Sequence, residues 1–143
     1  MLNEHVLSAW ELAPVLDVAP VEAGSVNWVS CVRTAASLFF LRTYRTADVA
    51  VVEREHSLIA HMRTAGIPAV APTTARDGRT LVAMDGTLHA LYPQAEGEQI
   101  ERAVVPTPLA SAAGTMLAQL HNAARRLPDA GYRRYRLEWD AEA

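Results

Sequence analysis

The stretch that most restricts how this chain can fold runs from Asp48 to Ala65, where apolar residues recur at helical spacing with a carboxylate among them. Val51, Val52, Leu58, Ile59 and Met62 mark the stripe, and Glu55 falls on the same three-to-four spacing. A lone carboxylate is costly to remove from water, so an inward Glu55 calls for a cationic partner. The run Ser37-Leu-Phe-Phe-Leu-Arg-Thr-Tyr44 supplies one. Side chains alternate along a strand, which puts Arg42 on one face with Leu38, Phe40 and Tyr44. From these residues alone two readings stay open. The pair serves a charged ligand, or it is a plain structural ion pair, with Glu55 at the edge of the stripe facing water.

Turn and breaker residues divide the rest of the chain. Asn3 can cap a short helix to about Ala13, with Val6, Trp10 and Ala13 on its apolar edge. Pro14 and Pro20 bracket an edge strand, Val15 to Val21. Two strands, Asn27 to Thr34 and Ser37 to Arg45, flank Ala35-Ala36 as a tight hairpin. The helix from Asp48 stops at Gly66 and Pro68. Strands are expected around Ala69 to Thr74, Arg79 to Met84 and Thr87 to Tyr92, with Asp77-Gly78 and Asp85-Gly86 as turns. The order is helix, three strands, one helix, then two or three strands, an α+β class with a largely antiparallel sheet and a single principal helix packed across it. Residues 1–93 form this unit, 94–106 a linker, and 107–143 a long helix with its tail. Thr107-Pro108 opens a helix to about Leu127, with Thr107 as its N-cap, a proline in its first turn and Ala113, Met116, Leu117, Leu120 and Ala124 on its apolar face.

Composition removes several function classes. The 143 residues carry a formal charge of −3, which gives no pull toward nucleic acid or an anionic membrane. Arg133-Arg134-Tyr135-Arg136 is read as a solvated face rather than an RNA contact. No apolar run is long enough to span a bilayer, and the N-terminus has no signal-peptide pattern. Cys31 is the only cysteine, which fits a reducing cytoplasm. His56 and His61 lie about 140° apart around a helix and cannot converge on a metal. All thirteen basic residues are arginine, so any role that needs a cation falls to a guanidinium.

The order Phe39-Phe-Leu-Arg-Thr-Tyr-Arg45, Glu53-Arg-Glu-His-Ser-Leu-Ile-Ala-His-Met62, Gly66-Ile-Pro-Ala-Val-Ala-Pro72, Ala90-Leu-Tyr-Pro93 and Leu117-Ala-Gln-Leu-His121 resembles the aminoglycoside phosphotransferase family. That family includes choline kinase-like and type II homoserine kinase-like enzymes. The resemblance covers about residues 10 to 127 and implies a kinase-like N-terminal lobe, a five-stranded antiparallel sheet with one principal helix, with ATP in the cleft between it and a mostly helical second lobe. It places Arg42 where kinases hold a phosphate-contacting lysine, with Glu55 as its acidic partner. Gly24, Ser25 and Asn27 fall in the loop over the phosphates, and Leu91, Tyr92 and Pro93 at the hinge beside adenine. His121 reads as structural.

The family's His-Gly-Asp catalytic loop and its magnesium-holding aspartate segment do not occur in the 143 residues. Asp129 and Asp140 stand in no such context. The expectation is therefore an ATP-binding lobe of a small-molecule phosphotransferase that is not catalytic alone, with its Mg ligands outside this chain. The acceptor would be bound only with a complete second lobe. The alternative is a non-catalytic binding or assembly module that keeps the lobe. Either way, the apolar face of the long helix predicts a homodimer or a complementary lobe as cover.

Overall fold

A computed structural model describes residues 4–22, 26–98, 100 and 104–126. Three helices and five strands follow in the order α1 (Glu4–Leu7), β1 (Val15–Pro20), β2 (Trp28–Thr34), β3 (Leu38–Tyr44), α2 (Val49–Thr64), β4 (Val82–Met84), β5 (Thr87–Pro93) and α3 (Thr107–Ala124). The strands form one antiparallel sheet in the order β1-β2-β3-β5-β4. The α+β class is as the sequence reads, and five strands are the number that the resemblance implies.

Local chemistry explains most of the boundaries. The Asp48 carboxylate accepts from the amides of Ala50 at 3.0 Å and Val51 at 3.4 Å and so starts α2. At its end Gly66 takes φ +77°, and the Ile67 amide reaches back to the Met62 carbonyl at 3.0 Å. Ile67 and Met62 also pack together, which completes a glycine-terminated helix end. Asp85 and Gly86 adopt φ of 51° and 73° between the paired Met84 and Thr87, as a two-residue hairpin with right-handed twist requires. The β2–β3 turn is closed by the Thr34 hydroxyl, which accepts from the Ala36 and Ser37 amides at 3.2 and 2.9 Å.

Two expectations change. Ala69 to Thr74 forms no strand. Pro68 and Pro72 remove backbone donors there, and the segment reaches the sheet through the Thr73 amide, which donates to the Leu91 carbonyl at 2.6 Å. Asp77-Gly78 is therefore a turn in a connection, not a hairpin between strands. Thr107 is the first residue of α3 and not its cap. Pro106 holds the cap position, without a side-chain cap bond, and the helix ends at Ala124 instead of near Leu127. The proposed cap Asn3 lies outside the described residues.

The sheet is also covered on both faces, where one packed helix was expected. Val32, Leu41, Val82 and Leu91 meet Val6, Leu7 and the fully buried Trp10, whose indole donates to the Thr73 carbonyl at 3.1 Å. The other face carries Tyr44, Leu88, Ala90 and Tyr92 against Val52 of α2 and Leu81. Helix α3 touches this body at its C-terminal end, where Ala123 joins Met62 and Ile67 and its carbonyl meets His61 Nε2 at 3.1 Å. No described helix is long and apolar enough to cross a membrane.

Candidate nucleotide-binding site

Register decides which side chains stand with Arg42. Arg42 lies opposite Val29 on β2 and Ala90 on β5, and Phe40 lies opposite Cys31 and Tyr92. Directly paired residues share a face. Val29, Cys31, Phe40, Arg42, Tyr44, Leu88, Ala90 and Tyr92 therefore line the α2 side. Tyr44, Leu88, Ala90 and Tyr92 are buried, whereas Val29, Cys31 and Phe40 are half-buried. The α2 face is thus closed along β5 and half-open toward β2, while Ala83 at the β4 edge is exposed. Arg42 stands at the boundary.

Glu55 meets it there. Arg42 Nη1 donates to Glu55 Oε1 at 2.6 Å, and the two side chains are 34 % and 38 % exposed. This corrects one detail of the sequence reading. The inward centre of α2 is Val52, His56 and Met62, while Val51 is exposed and Glu55 flanks the buried line. A pair this wet contributes only about 0–1 kcal/mol to stability, so it leaves Arg42 aimed without burying it.

The guanidinium also lies over two aromatic rings, 4.8 Å from the Tyr92 centroid and 5.8 Å from that of Tyr44. Burial alone would lower the Arg42 pKa; Tyr92, Tyr44 and Glu55 outweigh it and the net direction is upward. Arg42 is a permanent cation. Behind it the Tyr44 and Tyr92 hydroxyls are 3.1 Å apart, and both lie within 3.3 Å of His56 Nε2. His56 Nδ1 meets Thr80 Oγ1 at 2.8 Å. Burial raises the pKa of Tyr92, reinforced by its bond with Tyr44, and burial likewise raises Tyr44. The His56 pKa is lowered, first by burial and further by the Arg42 charge, against the pull of Glu55 and Glu53. Sequence reading missed this cluster. The signal was a histidine at helical spacing between Val52 and Met62.

The remaining candidates are placed unevenly. Asn27 is half-buried, and its side-chain oxygen accepts from the Arg45 amide at 3.3 Å, tying the entry of β2 to the exit of β3. Gly24 and Ser25 lie outside the described residues. Leu91 is buried on the α1 side with its carbonyl already bonded to Thr73. Tyr92 contributes its ring to Arg42. Pro93 is exposed and borders a groove of about 820 Å³ between Gly66–Ala71 and Gln94–Glu96. His121 is exposed on α3.

An antiparallel five-stranded sheet with an arginine on β3 ion-paired to the following helix defines a kinase-like lobe. Residues 17–143 match the phosphotransferase enzyme family, and the chain belongs to it. No curated protein matches the chain. Among solved structures it is similar to an amicoumacin kinase, hAmiN, in complex with AMP-PNP, Ca2+ and Ami, at TM-score 0.76 and 19% identity over 99% of this chain and 46% of that one. An aminopropanol kinase associated with a microcompartment superposes at TM-score 0.71, with 20% identity over 97% of this chain and 45% of the other. A spectinomycin phosphotransferase in complex with ADP and spectinomycin gives 0.66 and 13% over 81% and 35%. The chain spans less than half the length of these neighbours.

The residues present fit an anionic nucleotide better than they fit a metal. Arg42 offers a rigid fork of donors next to a half-open apolar floor. Among the described residues no three His, Cys, Asp or Glu side chains could hold a metal ion, and Glu55 is committed to Arg42.

Proposed function

We propose that this chain carries the ATP-binding lobe of a small-molecule phosphotransferase. The observation that carries the reading is the Arg42–Glu55 pair, 2.6 Å long, at the boundary between the covered and open halves of one sheet face. Glu55 holds the guanidinium so that its remaining donors can face phosphate oxygens, while Val29, Cys31 and Phe40 offer an apolar surface to the base. In this reading Leu91, Tyr92 and Pro93 lead to the hinge, and Gly24, Ser25 and Asn27 belong to the loop over the phosphates. Residues 94–106 are a linker, and 107–143 open a second lobe. The activity of the whole protein is transfer of the ATP γ-phosphate to a hydroxyl of a small molecule. Phosphoryl transfer rests on positioning and charge neutralisation, and this lobe supplies the positioning half. Calorimetric titration of Mg-ATP tests it. Binding by the wild type, with loss of at least about tenfold in affinity for Glu55→Ala and Arg42→Gln, is expected. Undiminished affinity in both variants would refute it.

A second reading, a non-catalytic assembly module, is favoured by α3. Leu109, Met116, Leu117 and Leu120 are each more than a third exposed on that helix. Such a surface pairs readily with a second copy or a complementary lobe. Sedimentation that shows a homodimer, together with no Mg-ATP binding, would decide for the module.

A further inference from the structure

We propose that His56 is the positioning residue of the nucleotide clamp: it locks Tyr44 and Tyr92 into the aromatic cradle that aims the Arg42 guanidinium. The inference rests on Arg42 being the phosphate-contacting group. Three elements converge in it, with Tyr44 from β3, His56 from α2 and Tyr92 from β5, inside a cluster otherwise built from Val52, Leu81, Leu88 and Ala90. The two hydroxyls and His56 Nε2 form a triangle with sides of 3.1, 3.1 and 3.3 Å. Thr80 takes the other ring nitrogen. A neutral imidazole has one donor and one acceptor nitrogen, so Thr80 and the phenol pair together complete its bonding. Among the described residues no buried side-chain nitrogen or oxygen lacks a partner.

The physical consequence concerns ring orientation. A buried phenylalanine in place of either tyrosine could fill the space, but its far end would be free to tilt. Hydrogen bonds that tie the hydroxyl pair to a third side chain fix where the far end of each ring sits, and so the tilt of its long axis. The His56 ring meets Tyr92 edge-on at 86° and Tyr44 at 56°. Those fixed rings carry Arg42 on their surfaces, and Glu55, next to His56 in the chain, holds the guanidinium from the helix side. His56 thus ties the direction of α2 to the direction of the clamp. The groups that face it are Arg42 and Tyr44 from β3, Tyr92 from β5, Glu53 and Glu55 from α2, and Thr80 ahead of β4. One full charge among them is of its own sign, and it belongs to the residue being aimed.

The test reads the guanidinium directly. In protein labelled with nitrogen-15 arginine, the Arg42 side-chain signal is assigned by its loss in Arg42→Gln. In the wild type it should be displaced by the tyrosine ring currents. In His56→Leu, which keeps the volume and removes both bonds, it should return toward the ordinary arginine position. Mg-ATP affinity should then fall by about tenfold, whereas His56→Gln, with its own donor and acceptor, should stay within about threefold. Should His56→Leu fail to fold, Tyr92→Phe reads the same signal with a smaller change. An unmoved Arg42 signal in a folded variant overturns the proposal. So do equal affinity losses in His56→Leu and His56→Gln, which would mark a merely structural role. A wild type that binds no Mg-ATP sinks the nucleotide reading by itself, and the Arg42 signal then still decides whether the cradle exists.

Discussion

The two faces of the sheet use the same five strands for opposite ends. Toward α1 the centre of the surface is apolar and sealed, with Val32, Leu41 and Leu91 at 0 % exposure under Trp10 at 1 %. Toward α2 the same strands present Arg42, Tyr44 and Tyr92, and the helix answers with Glu55 and His56. One face only has to stay shut, and close-packed hydrocarbon does that best. The other keeps a cation at a half-open boundary, which requires polar partners behind it and water in front.

The largest expected effect lies on the sealed side. Trp10→Ala should cost about 3–5 kcal/mol in urea unfolding while leaving the Mg-ATP affinity of the folded fraction unchanged. A cost below about 1 kcal/mol would break the contrast, because the sealed face would then not carry the stability.

A smaller effect sharpens the contrast through pH. Burial lowers the pKa of His56 on the α2 side and of His89 on the opposite face, where Asp85 pulls the other way. The unfolded chain, with histidine near its ordinary 6.5, then binds more protons than the folded one as pH falls below that value. Stability should therefore be full above about pH 6.5 and decline as pH falls toward the lowered values. Urea midpoints measured across that window should drop, and His56→Gln should remove part of the slope. An unchanged slope would assign the effect to His89 alone.

The smallest effect belongs to the rim. Asp17 and Arg33 pair at 3.3 Å with both side chains more than half exposed. Asp17→Ala should change the unfolding free energy by no more than about 0.5 kcal/mol. A larger loss would mean that the edge of the sheet, not its sealed face, limits stability.

How much was legible follows from how local each signal is. The Asp85-Gly86 hairpin, the helix start at Asp48 and the Gly66 stop depend on a few neighbouring residues, and all three are present. The Arg42–Glu55 pair was legible because a charge near an apolar stripe needs a partner, and few candidates were in reach. The missing strand at 69–74 misled because its apolar residues outweighed two prolines in the pattern. His56 passed unnoticed because its partners Tyr92 and Thr80 stand 36 and 24 positions away. α1 and Trp10 were seen as an edge, and only packing turned that edge into the lid of a second face.

By itself the sequence determined most of the elements, the Asp85-Gly86 turn and the partner of Glu55, because helical period, strand alternation, caps and glycine turns act over a few residues. Tertiary structure decided that Val29, Cys31 and Phe40 stay half-buried while Ala90 and Tyr92 are covered, and so which half of the face stays open. It also decided that Tyr44 and Tyr92, 48 positions apart, would share one histidine. Those outcomes depend on how a sheet and a helix pack against each other, and no local pattern encodes that geometry.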